Sequence, residues 1–182
     1  MSHSVSYNLY LSSFATAPYL TDNSNLANVK YNIDWDTFFN RDNYNYKSCR
    51  LRYKFLSDPS TSVNGYSYDP TNFNGVIVAN GIAPKSVNPY GGTIVGMIEV
   101  YPVNYNVATV ATLNDVLVGN DLNATNGQNI IIPTGFRDLN IQLWQNNYAS
   151  SSAAFLSGIT NLGLGNWNLL LNFELYDPID EI

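Results

Sequence analysis

Apolar and polar residues alternate most cleanly over Lys47–Ser57, KSCRLRYKFLS. Cys49, Leu51, Tyr53 and Phe55 share one phase, and Ser48, Arg50, Arg52 and Lys54 share the other. Successive side chains of a strand point to opposite faces, so this pattern predicts a half-buried strand with one apolar and one basic face; no helical period fits it. Ser4–Ser12 repeats the alternation with Val5, Tyr7, Leu9 and Leu11. Asn166–Asp177 does so with Trp167, Leu169, Leu171, Phe173 and Leu175. Gly75–Asn80, GVIVAN, is a continuous apolar run that predicts a strand buried on both faces. Thr93–Val103 reads as a strand interrupted by Gly96, where a bulge is expected, and ended near Pro102. Asn129–Ile132, Asp138–Gln145 and, more weakly patterned, Ala153–Ile159 read as further strands, whereas Val107–Val118 follows no clear period. Ile33–Phe39 predicts one or two helical turns capped by Asn32 or Asp34, with Trp35, Phe38 and Phe39 at spacings of three and four to plug one open end of a sheet core.

Residues 15–30, 58–74, 81–92 and 119–127 are polar or rich in Gly, Pro and Asn, and read as loops. About eight short strands, little helix, no repeat and no linker predict an all-β protein. Eight strands in two sheets are the jelly-roll count, so the expectation is one eight-stranded jelly-roll β-sandwich with one short helix over residues 1–182.

Composition changes the picture of the surface. Charged residues are 12%, about half the usual share. Asn is the commonest residue and there are 14 Tyr. Interfaces favour Tyr and are depleted in Lys and Glu, so this surface suits contact with neighbours; an A/T-biased coding sequence would also enrich Asn and Tyr. The net charge of −6 argues against general nucleic-acid binding. The start, MSHSVSYNLY, lacks the features of a secretory signal, and no apolar run approaches membrane-helix length. The expectation is a cytosolic product that stays soluble until it assembles.

The chemistry-bearing residues are few. His3 is the single histidine and Cys49 the single cysteine, which excludes an internal disulfide and a multi-histidine or Cys-based metal site. Cys49 lies on the apolar phase of its strand and reads as a buried structural thiol. Asp121–Gly127, DLNATNG, only loosely resembles a calcium loop, with Ile132 where a bidentate Glu belongs. No metal or cofactor is expected. Glu99 and Glu174 sit in strands and are the carboxylate pair a glycosidase would need; the competing reading is two solvated or salt-bridged residues, with Glu174 pairing Arg50, Arg52 or Lys54 if the strands adjoin. A carbohydrate-binding sandwich, a fibre head or lectin-like module, would use Trp144 or exposed Tyr as a stacking platform.

The basic face of Arg50, Arg52 and Lys54 admits three readings: a solvated face, a contact for an acidic partner surface such as another copy's tail, or a contact for nucleic acid. The tail ELYDPIDEI mixes Asp177, Asp180 and Glu181 with Leu175, Tyr176, Ile179 and Ile182, which suits docking onto a neighbour or a frayed end. Candidate inter-subunit contacts are therefore Arg50, Arg52, Lys54, Tyr176, Ile179, Asp180 and Glu181, joined by Tyr66, Tyr68 and Tyr90 in the two long loops, where aromatic side chains supply contact area at low entropic cost.

The order of motifs resembles a known family. YNIDWDTFFNRDNYNYKSCRLRYKFLSDP (Tyr31–Pro59), NFNGVIVANGI (Asn72–Ile82) and GGTIVGMIEVYPV (Gly91–Val103) are similar to single jelly-roll capsid proteins. These are the penton or minor capsid proteins of large icosahedral double-stranded DNA viruses and virophages. The resemblance covers 31–103 and carries over no interface residue. It implies a jelly roll arranged as five copies around a vertex, without catalysis or cofactor. Its partners would be copies of itself and the major and other minor capsid proteins, and its location the virion.

Overall fold

The computed structural model describes residues 4–14, 16–40, 46–57, 74–83, 92–102, 115–123, 127–147, 152–155 and 166–177. Its strands are β1 (Ser4–Ser12), β2 (Leu20–Asp22), β3 (Asn28–Asp34), β4 (Ser48–Ser57), β5 (Asn74–Asn80), β6 (Thr93–Pro102), β7 (Asp115–Asn120), β8 (Gln128–Ile130), β9 (Phe136–Asn147), β10 (Ser152–Phe155) and β11 (Trp167–Tyr176). One helix, α1 (Trp35–Phe39), follows β3. All pairings are antiparallel, in the order β1-β11-β4-β7-β6-β5-β9-β3-β2. The eight long members divide into β1-β11-β4-β7 and β3-β9-β5-β6, which is the strand order of a jelly roll. Among the described residues, β2 is a short addition beside β3 at the end of the order, and the short β8 and β10 pair the interior strands β4 and β9. The region 15–30, read as loop, thus holds β2 and the start of β3, and the unpatterned region 107–118 enters β7 at Asp115.

β6 joins the two sheets. Its first part pairs β5 and its second part pairs β7. The expected bulge is present: Ile77 pairs Gly96 while Val78 pairs Ile94, so the register slips by one residue beside Gly96. The apolar phases of β1, β4 and β11 meet those of β3, β5 and β9 in one core. In β5, Val76 and Val78 are buried as well as Ile77 and Ala79, as the unbroken apolar run implies.

Aromatic rings fill both ends of the core. α1 starts where the Asp34 carboxylate accepts the Thr37 N–H at 3.2 Å and the Thr37 hydroxyl at 2.7 Å, and it ends at Asn40 in the left-handed region. These bonds to Thr37 hold the Asp34 carboxyl below its usual value. The cap aims Trp35 and Phe39 inward, against Phe173 of β11 at ring distances of 5.6 and 5.4 Å. Toward the opposite end, Trp167 lies 5.7 Å from Phe55 and its indole N–H donates to the Leu26 carbonyl at 2.7 Å.

Two buried tyrosines tie the sheets together. The Tyr31 hydroxyl donates to the Ser12 carbonyl at 2.9 Å, and the Tyr53 hydroxyl donates to the Met97 carbonyl. Burial pushes the Tyr31 phenol up, and burial, with the charge of Asp121, pushes Tyr53 from 10 up to about 12. Above pH 10 the unfolded chain loses phenolic protons that the folded chain keeps, so stability is expected to fall between pH 10 and about 12. Urea midpoints measured from pH 9 upward should show this decline, and it should be smaller in the Tyr31→Phe, Tyr53→Phe double variant.

Candidate functional site

β11 lies between β1 and β4, so the pairing sets the outward side chains of the first sheet in rows. Ser6, Glu174 and Arg50 form one row, and Asn8, Asn172 and Arg52 the next. Tyr10, Leu170 and Lys54 follow, then Ser12, Asn168 and Leu56. The face therefore grades from charged at the Tyr176 end of β11 to apolar at the Trp167 end.

At the charged end, the Glu174 carboxylate accepts from Arg50 Nη1 at 3.2 Å and from Arg52 Nη2 at 3.0 Å. The Arg50 guanidinium also stands 5.0 Å from the centre of the Tyr176 ring. The Tyr176 hydroxyl donates to Asn129 Oδ1 at 3.1 Å. Two of the three basic side chains of β4 are thus held within their own sheet by one carboxylate, which the sequence allowed but could not decide. Glu174→Gln should cost about 1–2 kcal/mol, because two part-buried guanidinium groups lose the charge they share. A lower urea midpoint at unchanged slope is the expected result, with a gap to the parent that narrows in 1 M salt.

Lys54 is exposed and makes no ion pair among the described residues. It stands at the edge of a groove of about 680 Å³ at the apolar end. Tyr10, Phe14, Pro18, Leu56 and Leu170 line this groove. Tyr10 is 68% exposed, Leu56 49% and Phe14 41%. Sequence reasoning missed these apolar residues as a site, although a signal was present. Tyr10 interrupts the polar phase Ser4, Ser6, Asn8 and Ser12, Leu56 interrupts the basic phase of β4, and Leu170 fills the polar phase of β11. The other candidate contacts, Tyr66, Tyr68, Tyr90, Ile179, Asp180 and Glu181, lie outside the described residues, as does His3.

The alternative chemistries gain little from the geometry. The rows of Glu174 and Glu99 cross β4 at Arg50 and at Leu56, the second through Val118. Six residues of strand hold these rows roughly 20 Å apart, against about 5–9.5 Å for a glycosidase pair. The Asp121 carboxylate accepts the Tyr53 backbone N–H, and burial pushes its carboxyl up. No group of three or more potential metal ligands occurs among the described residues. Cys49 is buried. Trp144 is partly buried on the outer phase of β9, and its indole N–H donates to Gln142 Oε1 at 3.2 Å, which occupies the polar edge of the proposed sugar platform. Among the described residues, no helix is long and apolar enough to cross a membrane.

No family model matches the sequence, and no curated protein matches it significantly. Among solved structures, the chain is similar to a chain of desmodium yellow mottle tymovirus, at 12% identity and a TM-score of 0.26, over 100% of this chain and 91% of that one. It is also similar to a chain of turnip yellow mosaic virus, at 9% identity and a TM-score of 0.25, over 100% of this chain and 98% of that one.

Proposed function

We propose that this chain is a structural capsid protein, one jelly-roll domain that forms the pentameric vertex of an icosahedral virus particle. The observation that carries this reading is the outer face of β1-β11-β4. On a jelly-roll strand order, that face ends in an exposed apolar groove rather than in a solvated polar surface. Exposed apolar patches of this kind mark interaction surfaces. The charge-poor, Asn- and Tyr-rich composition supports the same reading, as does the likeness of residues 31–103 to single jelly-roll capsid proteins. A ring of five needs two different surfaces per subunit, since a heterologous contact closes only if one side of the wedge differs from the other. The graded face supplies such an asymmetry. No catalysis belongs to this role; its partners are copies of the chain and other capsid proteins, and its place is the virion.

The test is the mass of the purified chain in solution together with its position in particle maps. Five copies at the vertices are expected. Three copies would favour a fibre head or a trimeric minor capsid protein. A chain that stays monomeric at high concentration and lies away from the vertices overturns the vertex role.

A further inference from the structure

We propose that the groove beside Lys54 receives the segment Pro178-Ile179-Asp180-Glu181-Ile182 of a second copy of this chain. The inference rests on the reading of the chain as a self-assembling subunit and names what its exposed groove meets. The walls call for an apolar occupant, because Tyr10, Phe14 and Leu56 are large, apolar and exposed. The edge calls for a carboxylate, because Lys54 stands there without an ion pair among the described residues. Within five residues the segment supplies Pro178, Ile179 and Ile182 for the walls and Asp180 and Glu181 for the ammonium group.

Position along β11 argues for a second copy. β11 ends at Tyr176, and the carboxylate of the next residue, Asp177, accepts the Lys47 backbone N–H at 3.2 Å. The groove lies against Asn168, Leu169 and Leu170 at the other end of the same strand. Six to eight residues of strand separate the two, roughly 20–27 Å. The segment runs from two to six residues past Tyr176, so even fully extended its last residue reaches only about 21 Å, the near edge of the groove, and within one chain the five residues cannot lie along it. The donor segment thus follows one end of β11 along the chain, and the acceptor groove lies at the other end of that strand. That is the head-to-tail arrangement from which rings close.

Carbodiimide cross-linking of an equal mixture of isotope-labelled and unlabelled full-length chain tests the proposal. Mass spectrometry should find Lys54 joined to Asp180 or Glu181 in peptides that pair one labelled with one unlabelled half. Lys54→Glu should weaken self-association at least tenfold, and adding Asp180→Lys and Glu181→Lys should restore it. Lys54 is exposed, so thermal unfolding of Lys54→Glu should match the parent. Cross-links confined to Lys47 of the same copy overturn the proposal, as does an assembly indifferent to the Ile179→Asp, Ile182→Asp double variant, or a parent chain that remains monomeric. Pentamers indifferent to both sets of variants would remove the groove contact and leave the capsid reading intact. Particles that lack the chain would remove the capsid reading while an inter-copy cross-link still stood.

Discussion

Replacing Trp35 by alanine is expected to lower the unfolding free energy by about 3 kcal/mol, at the low end of the usual cost of emptying an aromatic site. The indole is fully buried. It stacks on Phe39 at 5.7 Å and 18°, and meets Phe38 and Phe173 edge-on at 5.8 and 5.6 Å. Its removal opens a cavity beneath α1 that five helical residues held by one Asp34 cap cannot collapse to fill. The loss is kept from the upper end of the range because the indole N–H has no hydrogen-bond partner among the described residues. Deleting an unsatisfied buried donor returns about 1–3 kcal/mol of desolvation cost. Trp35→Phe separates the two effects. It keeps a ring against Phe39 and Phe173 while removing the orphan N–H, so its cost should stay under about 1.5 kcal/mol. Urea or guanidinium titration measures both variants. An alanine variant within about 0.5 kcal/mol of the parent would mean that the plug does not close the core, since a change that small is ordinary for surface positions.

Gly96→Ala should cost about 2–4 kcal/mol, and its origin is one tyrosine. A Cβ at Gly96 would stand 1.9 Å from Tyr53 Cε1 and 2.1 Å from Cζ. The other edge of the ring faces Gly119 just as closely, since a Cβ added there would stand 2.8 Å from Tyr53 Cε2. The ring therefore occupies a slot walled by the backbones of β6 and β7, and its hydroxyl is tied to the Met97 carbonyl. An added methyl forces the ring off its rotamer at about 1–3 kcal/mol and breaks a hydrogen bond worth about 1 kcal/mol. The double-mutant cycle identifies the cause. In a Tyr53→Leu background the ring is gone, and the same Gly96→Ala change should cost less than half as much. Equal costs in the two backgrounds would trace the effect to the bulge and not to the tyrosine.

Gly96 illustrates how far local pattern reaches. A glycine inside the apolar run of β6 marks an irregularity, and the register slip opposite Ile77 and Val78 is there. That the missing side chain makes room for Tyr53, 43 positions earlier, is not a local property. The same division runs through the molecule. The alternations of β1, β4 and β11, the double burial of β5, the Asp34 cap and the Trp35–Phe38–Phe39 plug were legible because a side-chain period of two or 3.6 is set by each segment's own backbone. β8 was legible within Asn129–Ile132, whereas β2 escaped because three residues hold too few alternations to establish a period, and β3 and β7 escaped because they lie in regions read as loop and helix or as unpatterned.

The sequence by itself determined which face of β1, β4 and β11 is apolar and that β5 is buried on both, and hence an all-β sandwich with one helical plug. Only the tertiary structure decided which strands are neighbours. It set Glu174 opposite Arg50, within reach of Arg52, and so closed two of the three basic side chains of β4 into their own sheet. It also gathered Tyr10, Leu56 and Leu170, each a lone exception in its own strand, into one groove beside the remaining Lys54. The physical reason is that strand pairing joins residues up to 172 positions apart in the chain, as Ser4 meets Tyr176. Register across such distances depends on how the whole core packs, which no single segment encodes.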